Sequence, residues 1–193
     1  MATSFVERLE QRAKDALGAA LAEDSRGARA AVAAIVRGAA GSEELLFIKR
    51  AERDGDPWSG HMAFPGGRRE PEDRTLLDTA TRETLEEVGI DLRANARAVA
   101  RLPDVTPYSR MPHPLTVTAF VFSLDAPSSV ALSDEVASVV WAPLAGVLRG
   151  DGATTFRWKR DGLDLELPAL DVGGGVVWGL TYRMLELLRE ALD

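Results

Sequence analysis

The chain has no cysteine, which excludes disulfides, thiolate zinc sites, iron–sulfur clusters and a cysteine nucleophile. His61 and His113 are its only histidines, so any metal site must be built largely from oxygen ligands. No run approaches the ~18 consecutive apolar residues of a membrane-spanning helix, and charges from Glu7 onward deny the N-terminus the apolar core of a secretory signal. The net charge is −7 at pH 7, opposite in sign to what a nucleic-acid groove or an anionic membrane attracts. The expectation is a soluble cytoplasmic protein with neither nucleic acid nor membrane as partner.

What is present suits one ordinary domain: 193 residues, 46% of them apolar, are enough for a sizeable core. Ser4 is placed to cap a helix from Phe5 to Ala22, ended by Arg26-Gly27. Ala30–Val36 and Leu45–Lys49 read as a strand pair around a turn containing Gly38 and Gly41. A loop opened by Asp54-Gly55-Asp56-Pro57 leads to a Phe64-Pro65-Gly66-Gly67 turn, and a helix over Thr75–Val88 follows. Ala96–Leu102, Thr116–Phe122 and Val136–Trp141 read as strands, with a helical turn at Pro143–Leu148. Pro103, Pro107, Pro112 and Pro114 keep the loop between the first two of these out of a sheet interior. Phe156–Trp158 and Leu163–Leu167 flank Asp161-Gly162, a strong hairpin signal, and Val177–Leu192 closes as an amphipathic helix. Strands and helices mix without regular βαβ alternation, which points to an α+β fold or a three-layer sandwich.

The chemistry concentrates in residues 82–90, Arg-Glu-Thr-Leu-Glu-Glu-Val-Gly-Ile. At ~100° per residue, Glu86 and Glu87 flank Glu83 on one helix face, while Leu77, Thr81, Thr84 and Val88 form a stripe that can face a core. Like charges at these spacings destabilise a helix by roughly 0.2–0.5 kcal/mol per pair, so the arrangement calls for a counter-ion. Hard oxygen ligands favour Mg²⁺ or Mn²⁺, held by a few carboxylates together with substrate phosphates and water. A solvated acidic surface would need neither Arg82 beside the carboxylates, nor Gly89 to end the helix, nor the preceding glycine pair.

These residues resemble the Nudix hydrolases, whose box reads G-x5-E-x7-R-E-U-x-E-E-x-G-U with U a bulky aliphatic residue. Arg82, Glu83, Glu86, Glu87, Gly89 and Ile90 match it, and Thr84 stands where U is expected. Five residues separate Gly67 from Asp73, which replaces the family's Glu, and eight rather than seven separate Asp73 from Arg82. Phe64-Pro65-Gly66-Gly67 with a longer loop resembles the coenzyme A pyrophosphatase branch. So do Leu45-Leu46-Phe47-Ile48-Lys49-Arg50-Ala51 and Trp178-Gly179-Leu180-Thr181, whereas the stretch from Gly55 to Gly60 diverges from that branch.

The resemblance implies an α/β/α sandwich with a mixed sheet, a catalytic loop–helix–loop over residues 66–90, and additional N- and C-terminal helices, the first within residues 1–28, in a single domain over residues 1–193. It implies hydrolysis of a nucleoside diphosphate derivative with Mg²⁺ or Mn²⁺. Coenzyme A or an acyl derivative is the first substrate expected, giving adenosine 3′,5′-bisphosphate and 4′-phosphopantetheine or its acyl form. ADP-ribose, NADH or a nucleotide sugar is the alternative, and a ligand-binding module without catalysis a further one. Isopentenyl-diphosphate isomerase, of the same superfamily, needs a cysteine this chain lacks.

By the same carry-over Glu83, Glu86, Glu87 and the Gly66 carbonyl are the expected metal ligands, with Arg82 orienting the carboxylates. The general base is a box glutamate or a residue of another loop, Glu135 or Asp104. Arg50, Arg68, Arg69 and Arg110 are candidate phosphate contacts because guanidinium binds phosphate bidentately, and Gly66 and Gly67 permit close approach of a ligand to the backbone. Trp58 can stack on a base and His61 can hydrogen-bond substrate, while His113 reads as structural and Gly173-Gly174-Gly175 as a turn. Dimerisation is common in the family, so a homodimer is allowed, with the N-terminal helix as a candidate element.

Overall fold

Strand β1 (Arg29–Arg37) is buried on both faces, and its sequence explains how: small and branched residues alternate so that Ala30, Ala34 and Val36 enter one core and Ala31, Ala33 and Ile35 the other. A strand covered on both sides reads as a continuous apolar run rather than an alternating one. The computed structural model describes residues 3–20, 29–54, 59–107, 115–126, 128–160 and 162–192. Within it β1 pairs in parallel with β6 (Thr116–Leu124) over Arg29↔Thr116 to Val36↔Ser123. It meets β2 (Glu44–Arg50) only at Val36↔Leu45 and Arg37↔Glu44, so the expected strand pair exists but splays immediately. β2 then pairs with β3 (Met62–Ala63) and with β7 (Val136–Pro143), and β5 (Ala96–Arg101) lines the far side of β6.

Residues Gly66–Arg68 form β4, antiparallel to β1 through Val32↔Gly66, Ala31↔Gly67 and Ala30↔Arg68. This corrects the turn expected at Phe64–Gly67. The chain does bend at Pro65, whose carbonyl accepts the Ala33 N–H at 2.8 Å, but the two glycines lie flat on the central strand. The main sheet has the order β3-β2-β1-β6-β5, with β4 on β1 and β7 on β2.

Helices α1 (Phe5–Ala20), α4 (Leu144–Arg149) and α5 (Gly179–Glu190) cover one face, burying Phe5, Leu9, Leu144, Leu185 and Leu188. Helices α2 (Leu76–Val88) and α3 (Leu92–Asn95) cover the other, with Leu76, Ala80, Val88 and Leu92 against Ile35, Leu46 and Phe120. The expected α/β/α sandwich with a mixed sheet and flanking terminal helices is what the structure has. Ser4 caps α1 as expected, accepting the Glu7 N–H at 3.1 Å while the Glu7 carboxylate accepts the Ser4 N–H at 2.8 Å. The expected helix end at residues 21–28 lies outside the described residues, as do the 55–58 and 108–114 segments.

A second sheet holds β8 (Ala153–Arg160), β9 (Leu163–Asp171) and β10 (Val176–Trp178), in the order β10-β9-β8. β8 and β9 pair without a break from Ala153↔Leu170 to Arg160↔Leu163, the hairpin that Asp161-Gly162 signalled, with Asp161 itself outside the described residues. The last helix starts at Gly179 rather than Val177, because Val177 and Trp178 pair with Leu170 and Ala169 of β9.

Candidate active site

Helix α2 carries the acidic face, and its ends are set locally. The Thr75 hydroxyl accepts the Asp78 N–H at 3.1 Å while the Asp78 carboxylate accepts the Thr75 N–H at 3.2 Å, a reciprocal cap. Gly89 closes the helix at φ 71°, a left-handed conformation that glycine adopts without a Cβ penalty. Thr84 is buried where the box expects an aliphatic residue, and its hydroxyl is satisfied by the Ala80 carbonyl at 2.7 Å. A hydroxyl bonded back one turn can be buried without an orphaned donor.

Arg82 is the hub of the face. Its Nε and Nη2 donate to the two oxygens of Asp73 at 3.1 and 3.0 Å, and Nη2 also donates to the Arg68 carbonyl at 3.0 Å. On the other side Nη1 reaches Glu86 at 2.9 Å and Nη2 reaches Glu83 at 3.1 Å. Asp73, 5% exposed, also accepts the Glu70 N–H and the Thr79 hydroxyl, each at 3.0 Å. Burial pushes the Asp73 carboxyl up, but the Arg82, Glu70 and Thr79 hydrogen bonds outweigh it and hold the group below the usual carboxylate range.

Glu83 and Glu87 lie against β4, and each glycine there has its own reason. Glu87 is 4% exposed and accepts the Gly66 N–H at 2.8 Å. Gly66 sits at φ 148°, and a β-carbon on it would overlap the Ala31 carbonyl and Val32. A β-carbon on Gly67 would fall instead on the Glu83 carboxylate. Gly66 thus lets β4 lie close to β1, and Gly67 lets the Glu83 carboxylate press onto β4.

Burial pushes Glu87 up to about 7; the Gly66 N–H and Arg50 pull it down, while the charges of Glu83 and Glu135 push it further up. Glu83 is also raised, by burial first, with Arg82 opposing. Among the described residues no three His, Asp or Glu side chains converge into a ready-made metal cage, because Arg82 holds Glu83 and Glu86 while the Gly66 N–H holds Glu87. The donors are all oxygens, one on the buried Glu87 carboxylate and one on the half-buried Glu83. That donor set fits a hard divalent cation.

Of the other expected residues, Arg50 and Glu135 come within electrostatic reach of Glu87. The Glu135 carboxylate accepts Arg53 Nη1 at 3.0 Å, and its carbonyl accepts the Ala51 N–H at 2.8 Å. Arg68 has an exposed side chain at the edge of the face. The Arg69 guanidinium donates to the Asp73 carbonyl at 2.9 Å and to the Arg74 carbonyl at 3.0 Å and so braces the box loop. Asp104 is fully engaged in hydrogen bonds. It takes Arg29 at 2.8 Å, Arg101 at 2.7 Å and the Thr118 hydroxyl at 2.7 Å, the fixed hydrogen bonding of a structural carboxylate.

His61 packs against Trp178, with ring centroids 4.8 Å apart. Gly173-Gly174-Gly175 is the turn into β10, with the Val172 N–H on the Gly175 carbonyl at 3.1 Å. Trp58, Arg110 and His113 lie outside the described residues. Two features were not foreseen: the grip of Asp73 on Arg82, whose only signal was an acidic residue displaced by one position in the box, and the aromatic cluster at His61, which forms across more than a hundred residues of chain.

The NUDIX domain family profile matches residues 27–160. The chain belongs to the Nudix family. An uncharacterized protein of Schizosaccharomyces pombe is 46% identical over 109 residues, covering 54% of this chain but 33% of that protein. Human mitochondrial coenzyme A diphosphatase NUDT8 is 32% identical over 169 residues, covering 87% of this chain and 71% of that protein. In fold, the MutT/nudix family protein from Enterococcus faecalis is similar over 100% of this chain and 76% of its own, with a TM-score of 0.58 at 18% identity. The chain therefore spans a third of the first of these relatives and more than two thirds of the second.

Proposed function

We infer that this Nudix pyrophosphohydrolase cleaves the pyrophosphate of coenzyme A or an acyl-coenzyme A, giving adenosine 3′,5′-bisphosphate and 4′-phosphopantetheine or its acyl form. The observation that carries the hydrolase chemistry is the Arg82-anchored carboxylate face pressed onto Gly66 and Gly67. Similarity to the human coenzyme A diphosphatase supports the substrate. Glu83, Glu86, Glu87 and the Gly66 carbonyl would hold Mg²⁺ or Mn²⁺, which neutralises pyrophosphate oxygens and makes water a better nucleophile.

The chain's own residues do the rest. Asp73 fixes Arg82, and Arg82 keeps Glu83 and Glu86 on one face. Arg50, beside Glu87, and the exposed Arg68 supply positive charge for the substrate phosphates. With Asp104 committed to Arg29 and Arg101, the proton acceptor for the attacking water belongs to the glutamates around the face. The test is hydrolysis by purified protein with Mg²⁺ or Mn²⁺ of coenzyme A, acetyl-coenzyme A, ADP-ribose, NADH and a nucleotide sugar, with products identified by mass. Fastest turnover of the coenzyme A compounds is expected. Equal or faster turnover of another compound replaces the substrate and leaves the hydrolase.

A further inference from the structure

The β8–β9 hairpin is a two-faced ribbon. Its register places Phe156, Trp158, Leu163, Leu165 and Leu167 on one face, with Thr154 and Arg160 at its two ends, and Thr155, Arg157, Lys159, Asp164 and Glu166 on the other. The polar face closes on itself. Arg157 donates to Asp164 at 2.7 and 2.6 Å, Lys159 pairs with the same carboxylate at 3.2 Å, and Thr155 donates to Glu166 at 2.7 Å. The apolar face stays open, with Leu163 44% and Leu165 43% exposed.

The inner end of the apolar face is anchored on β3 and β10, next to the strand that carries Arg50. Phe156 stacks on Trp178 with centroids 4.2 Å apart and planes 10° from parallel, and His61 meets both rings edge-on at 5.8 and 4.8 Å. The His61 carbonyl accepts the Arg50 N–H at 3.0 Å, and Arg50 is the cation beside Glu87. From this wall the face runs outward through Trp158 and Leu165 to Leu163, about 7 Å for each two residues. Leu163, Leu165, Leu167 and Trp178 lie beyond the 27–160 stretch matched by the family profile, while Phe156 and Trp158 lie within it.

We propose that this face is the subsite for an apolar arm of the substrate, an acyl thioester chain on the side of the pyrophosphate away from the nucleotide. A few half-exposed side chains fall short of the ~800 Å² per partner that a stable dimer buries. An arm already tethered through the bound pyrophosphate needs no such area, because its ordering cost is largely met by the rest of the substrate. The aromatic inner end suits the flat amide and thioester segment, and the leucines suit methylenes.

This subsite rests on the coenzyme A reading, and one series separates the two. kcat/KM is measured for free coenzyme A and its acetyl, hexanoyl and decanoyl thioesters, in the wild type and in Leu165→Ser and Leu165→Phe. Each methylene removed from water is worth roughly fourfold, so a rise of tenfold or more from acetyl to decanoyl is expected in the wild type. Leu165→Ser flattens that rise and Leu165→Phe keeps it. A flat series in the wild type overturns the subsite and leaves the coenzyme A reading standing. A steep series unchanged by Leu165→Ser also overturns it. A flat series together with a wild-type dimer that Leu165→Ser converts to monomer, by light scattering, makes the face a self-association surface instead. Turnover of ADP-ribose or NADH with none of the thioesters overturns both readings.

Discussion

Asp73 and Arg82 form a bidentate pair, Oδ1 to Nε at 3.1 Å and Oδ2 to Nη2 at 3.0 Å, and the same guanidinium carries Glu83 and Glu86 on its other edge. A loop carboxylate therefore sets the position of helix carboxylates through one planar cation. Arginine suits this because its fork is rigid and offers several donors in fixed directions.

Asp73→Asn is expected to loosen that arrangement without removing a glutamate from the face. Loss of a group that orients ligands typically lowers activity by roughly 10–100-fold, and leaving Arg82 partly unsatisfied should cost about 1–3 kcal/mol in urea denaturation. The sign with pH follows from the depressed carboxyl. The unfolded chain binds more protons just below ~3.9, so the Asp73 contribution is present above that pH and lost as the pH falls through the lower folded value. Denaturation between pH 5 and pH 2.5 should show a steeper acid loss in the wild type than in Asp73→Asn; equal slopes would remove Asp73 from the account.

Gly66 and Gly67 should respond to alanine in different ways. Gly66→Ala meets a positive φ of 148° and the backbone of β1, so it should lose about 1–3 kcal/mol or more and express poorly. Gly67→Ala has no positive φ but displaces the Glu83 carboxylate. It should fold with little change in Tm and lose on the order of 10²-fold in kcat, the scale of an ångström's misplacement in a site. Thermal melts alongside kinetics separate the two, and an active Gly67→Ala enzyme would show that Glu83 need not press against β4.

Much of this was legible from neighbours in sequence. The Arg82–Ile90 pattern, the Thr75 start and Gly89 stop of α2, and the Asp161-Gly162 hairpin all depend on residues within a turn or two of each other. What escaped depends on partners far along the chain. Gly66-Gly67 reads as a turn until β1 is known to lie beneath it. Val177 and Trp178 read as helix until β9 claims them. The grip of Arg69 on the Asp73 and Arg74 carbonyls is set by how the box loop folds back on itself.

Metal and proton should compete for Glu87. In the metal-free protein burial raises this carboxyl to about 7, so the folded state holds a proton that the unfolded state releases near ~4.3. Its contribution is fully present below that pH and declines as pH rises toward 7. A divalent cation binds the deprotonated carboxylates, so the rise in Tm with saturating Mg²⁺ or Mn²⁺ over EDTA should be larger at pH 8 than at pH 5.5. No shift at pH 8 would argue against metal binding by this face.

The remaining question is which carboxylate takes the proton from water, and the surroundings of Glu135 give an expected answer. Its Oε1 accepts Arg53 Nη1 at 3.0 Å, and its side chain is 49% exposed, whereas Glu87 is almost wholly buried and Glu83 is partly so. The Glu135 carboxylate is thus held by Arg53 at a solvated position, whereas the Glu87 carboxylate is packed against β4. Glu135→Gln should therefore keep kcat within about tenfold, while Glu83→Gln and Glu87→Gln each lose roughly 10²–10⁴-fold, the usual worth of a proton acceptor or of a group that holds the reacting centre. The pH profile decides the point. If Glu135→Gln alone abolished the acid limb of kcat/KM and carried the large loss, the base would sit at the mouth of β7 instead of on α2.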